Sequence, residues 1–428
     1  MTATSVATDR EPTGVRATAR APRILVVSPV APVPEGVGGV FLRDLCLLYP
    51  ADRLAFAIMP GGGSGAWPEP LARAPRLTLD AVPERGFNRW GRRVQQSTRR
   101  IFDAYVERRH LPRLIDQIAH FAEQVQPDTL WIPLANPTLI NAAARLAERV
   151  GVPMVTTVWD APDYFLPHYW GVRGPTLERL MRRFGDGVRA SARTAVASTE
   201  MKTAYEKRYG TPCTPMIHGL PESQWIRPAG MRSPDEPFVI GYAGSLYARA
   251  EWDALMSALG SVGWRIGGRD VIVRVLASSL EVRATGPARI EFLGWQSTAD
   301  AVSILSECDV CYVPYWFDEA CRPGVELSFP NKISLYLAAG RPIFFHGPRQ
   351  STPVSFLARW PVGVACHSLD SGAIVETLRR AATDAAFHAS AADAIPRVLR
   401  EELGLHVFRK QFAEFLGVDD GVLAPAPA

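Results

Sequence analysis

The stretch Phe329-Pro330-Asn331-Lys332-Ile333-Ser334-Leu335-Tyr336-Leu337-Ala338-Ala339-Gly340-Arg341-Pro342-Ile343-Phe344 reads as a loop, a short helix, a glycine-ended cap and a buried strand. Pro330 stands where a helix should begin, and Asn331 is a favoured N-cap residue. Gly340 can take the left-handed conformation that closes a helix, and Pro342 cannot continue one. Ile333, Leu337 and the Ala338-Ala339 pair give the helix a small apolar face to lay on a sheet. Its other end predicts unpaired backbone N–H groups beside a lysine, a ready anion site. A helix start of this kind, late in an α/β chain, predicts a bound phosphate.

Outward from this segment the chain alternates strands and helices. Ile24-Leu25-Val26-Val27 is the apolar run of a fully buried parallel strand. The glycine-bearing loop Pro32–Gly39 follows, then a helical pattern through Phe41, Leu42, Leu45 and Leu48. Strand, glycine loop and helix open a doubly wound domain. Further strands are predicted at 54–59, 129–133, 153–158 and 195–197, with helices at 139–150 and 175–192 between them. The plan repeats after the polar linker Pro221–Pro237. Strands are predicted at 238–244, 271–276, 290–292, 310–313, 342–345 and 362–365, and a helix from Glu251. The fold class is therefore α/β, with two Rossmann-like, doubly wound parallel-sheet domains facing a central cleft. The expected division is a disordered tail at 1–21, a first domain at 22–222, a second at 223–404 and a flexible tail at 419–428.

The 428 residues are 47% apolar and 21% charged, the composition of a globular chain with large cores. A formal charge of +4 argues against a nucleic-acid binder. No window approaches 18 uninterrupted apolar residues, so a transmembrane helix is not expected. Six scattered cysteines suggest a reducing cytoplasm rather than a disulfide framework. Cys308-Asp309-Val310-Cys311 has C-x-x-C spacing, but no second pair stands at metal spacing, so a packing role at a helix-to-strand junction is expected. From Glu84 to Arg113, nine arginines oppose three acidic residues and are interleaved with Phe87, Trp90, Phe102 and Tyr105. That pattern fits either docking on an anionic membrane surface or lipid diphosphate, or a solvated helix.

The motif P-N-K-x-x-x-Y-L-A-A-G-R-P-I resembles the sugar-nucleotide helix of GT-B glycosyltransferases, in particular retaining family four, where the usual form is P-S-K-x-x-E-Y-L-A-A-G-K-P. Ala197-Ser198-Thr199-Glu200, Tyr209-Gly210, Ile217-His218-Gly219, Gly241–Tyr247 and Ile290–Trp295 resemble other elements of that family, so the likeness runs from Ile24 to Leu416. It implies transfer of a sugar from a nucleotide-diphospho-sugar to a glycan, lipid-linked or small-molecule hydroxyl, with retention and with neither metal nor cofactor. It further implies that a last helix near 405–418 returns to the first domain.

The resemblance sends the donor diphosphate and sugar to Gly38, Gly39, Ser245, Arg249, Asn331 and Lys332, and the base to Trp295. For Lys332 the alternative is a solvated lysine; for Trp295 it is an indole packed on a helix. Ser245 replaces the family's usual arginine and Ala250 its lysine, with Arg249 one position early. Leu335 stands where many members carry a ribose-binding glutamate, and the 317–329 loop is longer than usual. Asp160 follows a predicted strand end, where the family has histidine, and can serve the sugar or acceptor, or cap a turn. Glu319 is the candidate acid near the donor sugar; a surface salt bridge accounts for it equally well. Asp160 and Glu319 are thus the expected catalytic pair. Two rival functions share the phosphate site: a sugar-nucleotide epimerase and a non-catalytic binding subunit.

Overall fold

The computed structural model describes residues 20–61, 65–80, 102, 105–279 and 289–425. Among them, seven parallel strands make the first sheet: β1 (Ile24–Ser28), β2 (Leu54–Ile58), β3 (Arg76–Thr78), β4 (Thr129–Pro133), β5 (Met154–Val158), β6 (Arg193–Val196) and β7 (Cys213–Pro215). Their order is β3-β2-β1-β4-β5-β6-β7. Every residue of β1 and β2 is buried, as expected of parallel strands whose sheet is covered by crossover helices on both faces.

The second sheet holds β8 (Phe238–Ala243), β9 (Arg265–Ile266), β10 (Arg269–Leu276), β11 (Ile290–Phe292), β12 (Val310–Pro314), β13 (Ile343–His346) and β14 (Gly363–Cys366). Six strands run parallel in the order β11-β10-β8-β12-β13-β14, and β9 pairs antiparallel with β10. In both sheets the first strand lies inside, so the strand order reverses beside it, the place where α/β sheets bind ligands. Long apolar runs made the central strands legible. The short strands β3, β7 and β9, of three, three and two residues, carry no such run.

The chain crosses back to the first domain after Gly404, where Leu405 N–H donates to the Leu220 carbonyl at 3.0 Å. The helix Leu405–Leu416 buries Phe408, Phe412 and Phe415 in the core under β1 and β4, with Phe412 5.6 Å from the Trp131 ring. All six cysteines are free and buried. Cys308 and Cys311 pack in the core of the second domain, beside Leu305 and Val313. Most of the basic and aromatic 84–113 segment, including Phe87 and Trp90, lies outside the described residues, as do residues 1–19 and 426–428 of the two tails. No helix among the described residues is long and apolar enough to cross a membrane.

Candidate functional site

At the C-terminal end of β5, Trp159 and Asp160 lead into the helix Pro162–His168. Opposite them, β12 runs out through Tyr315-Trp316-Phe317 into a 3-10 turn, Glu319–Cys321, and the helix Arg322–Leu327. This extra length is a bridge between the domains. Ser328 Oγ donates to Asp160 Oδ1 at 2.9 Å, and Ser198 Oγ donates to the Leu327 carbonyl at 2.6 Å. Cys321 is buried in the core of the first domain, and the Trp316 ring lies 4.9 Å from Tyr164. Asp160 therefore faces the second domain rather than capping its own turn; Ala161 precedes the 162–168 helix, with no side-chain cap. Burial raises the Asp160 carboxyl above its ordinary range, and the Ser328 hydrogen bond partly offsets this.

The helix expected from the motif is present as Lys332–Ala338. Gly340 closes it at φ +69°, and its N–H donates to the Leu337 carbonyl at 2.9 Å. Its beginning differs from expectation. Asn331 is itself helical and makes no side-chain cap bond, so it is not a conventional N-cap. The first turn is tight: Ile333 N–H bonds to the Pro330 carbonyl and Ser334 N–H to that of Asn331. The N–H groups of Asn331 and Lys332, ahead of that turn, are the ones suited to an anion.

Lys332 is no solvated lysine. Its Nζ is buried without a hydrogen-bond partner among the described residues, 4.1 Å over the Tyr242 ring and 4.7 Å over that of Tyr247. The residue as a whole is half-buried while its Nζ is sealed, and burial brings that ammonium down to about 7. The two aromatic faces give part of what hydration would supply, about 0.5–2 kcal/mol each. Tyr336, on the same helix, ties it to the sheet: its phenol accepts from Ala243 N–H at 2.9 Å and donates to the Tyr312 carbonyl at 3.2 Å.

The donor-domain glycine turn is held just as firmly. Gly244 sits at φ +90°, Tyr242 Oη donates to the Ser245 carbonyl at 2.5 Å, and Trp316 Nε1 donates to the Tyr247 carbonyl at 3.0 Å. The bridge thus binds the turn that supplies one wall around Lys332. Ser245 itself is exposed. Arg249 opens the helix Arg249–Ser261 and pairs with Asp253 at 3.4 Å.

Gly38 and Gly39 lie in the first turn of the helix Val37–Leu47, not in a loop as the sequence suggested; Gly36, at φ +68°, makes the turn before it. A Cβ on Gly38 would stand 3.3 Å from the Trp159 ring, and one on Gly39 3.1 Å from the Val33 carbonyl. The glycines let this helix start lie against the strand ends. Between the domains, Phe41, Thr157, Trp159, Phe329 and Asn331 line a cavity of about 30 Å³. Small-molecule sites are commonly 300–1,000 Å³, so the cleft is closed around this point.

Glu319 departs from its expected place. Its side chain is 73% exposed and pairs with Arg322 at 2.9 Å, and Arg322 also holds Glu326 at 2.6 Å. The surface salt bridge is the arrangement present. Trp295 is 57% exposed at the end of β11, beside exposed Phe292 and Leu293, so it is not packed on a helix. Leu335 packs on the core of the second domain. The structure thus gathers Gly38, Trp159, Asp160 and Asn331 along the closed cleft, sets Lys332 under the glycine turn, and leaves Glu319 on the surface. Tyr247, Trp316 and Ser328 were not singled out from sequence. An aromatic shortly after the Gly244 turn was the one available signal for Tyr247.

No protein-family model matches the chain, and no curated protein matches it. Solved structures do. Sucrose-phosphate synthase from Thermosynechococcus elongatus aligns over 92% of this chain and 98% of its own, at 13% identity and a TM-score of 0.65. Anabaena HepE in complex with UDP-glucose aligns over 92% and 99%, at 14% identity and a TM-score of 0.63. The α,α-trehalose 6-phosphate synthase of Burkholderia multivorans aligns over 93% and 98%, at 16% identity and a TM-score of 0.59. Two parallel α/β domains across a cleft, the returning C-terminal helix and these full-length alignments together identify the architecture: the chain has the GT-B fold.

Proposed function

We propose that this protein is a glycosyltransferase that moves a sugar from a nucleoside-diphospho-sugar to a hydroxyl acceptor. The observation that carries the reading is Lys332, a buried ammonium at a helix start next to the cleft residue Asn331, with aromatic faces and, among the described residues, no ion pair to a carboxylate. A diphosphate supplies the counter-charge such a group lacks, and the charge that develops on the leaving group is what the cation stabilises. The UDP-glucose held by HepE supports a uridine donor. Trp295, with Phe292, offers an exposed aromatic surface for the base.

In this reading Lys332 and the adjacent N–H groups hold the diphosphate, so no metal is needed there. Asp160 hydrogen-bonds the donor sugar once the Ser328 contact is exchanged. The start of the Val37–Leu47 helix faces the sugar and acceptor. The acceptor oxygen bonds to the anomeric carbon as its bond to the diphosphate oxygen breaks; the acceptor proton leaves with the departing phosphate. Retention is part of the proposal, as are cytoplasmic action, a role in polysaccharide assembly and attachment to anionic membrane through 84–113. The anomeric configuration of the product and co-sedimentation with anionic vesicles test the first and last of these. Leu335, where the resemblance expects a glutamate, favours one second reading, a non-catalytic nucleotide-sugar-binding subunit.

Screening UDP-, GDP-, ADP- and dTDP-sugars for nucleoside diphosphate release, with glycan and lipid extracts as acceptors, tests both. Release from one donor supports transfer. Tight binding without release favours the second reading, and no binding to any donor contradicts both.

A further inference from the structure

On the second domain, away from the interdomain cleft, a pocket of about 500 Å³ opens beside the N-terminal ends of β8, β12 and β13. Arg232, Glu236, Arg274, Ser306, Glu307 and Arg341 are among its lining residues. Arg232 comes from the interdomain linker, whereas Arg341 follows the cap of the Lys332–Ala338 helix.

Three guanidiniums converge here on the carbonyl end of the helix Thr298–Leu305. Arg274 Nη1 reaches the Ile304 carbonyl at 3.4 Å, Arg341 Nε the Ser306 carbonyl at 2.5 Å, and Arg232 Nη1 the Glu307 carbonyl. Cations at a helix C-terminus are favourable, and this capping accounts for Arg232 and Arg274. Each of those two also has carboxylates: Glu236 at 2.9 Å from Arg232, and Glu291 and Glu307, both at 2.8 Å, from Arg274.

Capping does not account for the whole of Arg341. The residue is 8% exposed, makes no ion pair among the described residues, and its Nη1 is buried without a hydrogen-bond partner there. A buried cation with one unpaired edge is costly. With Nε given to the Ser306 carbonyl, the Nη nitrogens are the part of the guanidinium left for an oxygen of a phosphate or carboxylate. Glu236 and Glu307, already engaged by guanidiniums, would accept from hydroxyl groups and repel a bare polyanion. The pocket is also larger than an inorganic ion requires, and falls within the size range of small-molecule sites.

We propose that this pocket is a binding site for a small polyhydroxylated molecule bearing a single oxyanion, held by Arg341 and Arg232. Its position explains what an occupant would touch. Arg341 N–H donates to the Tyr336 carbonyl at 3.2 Å, and linker residue Ile226 donates to the Ala338 carbonyl at 2.8 Å. The linker and the helix that begins with Lys332 therefore meet at the pocket's edge. The site does not depend on glycosyl transfer, and its test reads binding alone.

Calorimetric titration of the full chain with ribose 5-phosphate, inorganic phosphate and gluconate tests it. Ribose 5-phosphate should bind, and Arg341→Gln and Arg232→Gln should each weaken it about tenfold or more. Lys332→Met should leave it unchanged. Binding of gluconate in place of the phosphates, lost in Arg341→Gln, would identify the oxyanion as a carboxylate in the same site. Arg232 lies on the linker, so its variant keeps the test open if Arg341→Gln does not fold. No heat with any of the three probes at millimolar concentration overturns the proposal. So does binding that Lys332→Met abolishes and the arginine variants spare, because the anion then sits in the cleft.

Discussion

Ser328 donates its hydroxyl to Asp160 Oδ1 at 2.9 Å, joining the segment that leads into the Lys332–Ala338 helix to the strand end of the opposite domain. The Ser328 carbonyl is held in turn by Tyr315 Oη at 2.8 Å and by Thr352 Oγ1. One residue thereby fixes both the approach to the Lys332 helix and the closure of the cleft.

Asp160→Asn separates the stability cost of this contact from its use. Burial raises the folded-state carboxyl above its ordinary value of 3.8, so the folded protein binds more protons than the unfolded chain in the window above 3.8. Stability therefore falls as pH rises through that window. Asn keeps an acceptor for Ser328 and has no charge to bury. The variant should match or exceed the parent in thermal melting at pH 7, with the gap closing towards pH 4. Transfer should fall about tenfold or more, the worth of one charge-assisted hydrogen bond at about 1.5–3 kcal/mol. A parent increasingly more stable than the variant as pH rises contradicts the assignment.

Lys332 gives the opposite slope. Burial brings its folded-state value from 10.5 down to about 7, so between these values the unfolded chain binds more protons. Stability of the unliganded protein should rise with pH across that window, by at most about 1.4 kcal/mol per pH unit from this group. Denaturant unfolding of the parent and of Lys332→Met at pH 7 to 9 measures the difference, and parallel profiles count against the burial of the ammonium.

Gly324 is where the interdomain bridge is tightest. A Cβ there would lie 2.8 Å from the Tyr164 ring, which is itself buried. Gly324→Ala should loosen the bridge and cost about 1–3 kcal/mol, as overpacking does. Faster proteolysis within 316–328 and a larger radius of gyration in solution scattering are the expected readouts. An unchanged melting temperature and scattering profile would show that the bridge does not hold the domains.

Arg269 and Asp309 form the most buried ion pair among the described residues, at 2.8 Å with side chains 2% and 0% exposed. Asp309 Oδ2 also accepts from Val239 N–H at 2.7 Å, tying the start of β12 to β8. Arg269→Ala leaves that carboxylate uncompensated and should cost about 3–5 kcal/mol in chemical denaturation. A loss below 1 kcal/mol would mean water reaches the site.

Much of the fold was legible because its central strands are buried apolar runs and several helices, among them Pro137–Val150, Thr199–Tyr209, Lys332–Ala338 and Leu405–Leu416, close at a glycine. Ile24–Val27, Phe238–Ala243 and the 332–340 motif each announce themselves by local chemistry. The site was legible only where one helix or strand end makes it. Lys332 and Asp160 could be picked from their positions after Pro330 and β5. What surrounds them could not: the Tyr242 and Tyr247 faces and the Ser328 hydroxyl arrive through tertiary packing, which local pattern does not encode. Glu319 was misplaced for the same reason. Its distance from β12 along the chain suggested the cleft, but the intervening turn carries it to Arg322 at the surface.

The central claim is that Lys332 receives the donor diphosphate, and calorimetric titration with UDP and with uridine tests it most directly. Lys332→Met should weaken UDP at least about 100-fold, near 2.7 kcal/mol, and leave uridine binding unaltered. Equal affinity of the parent and the variant for UDP would contradict the account.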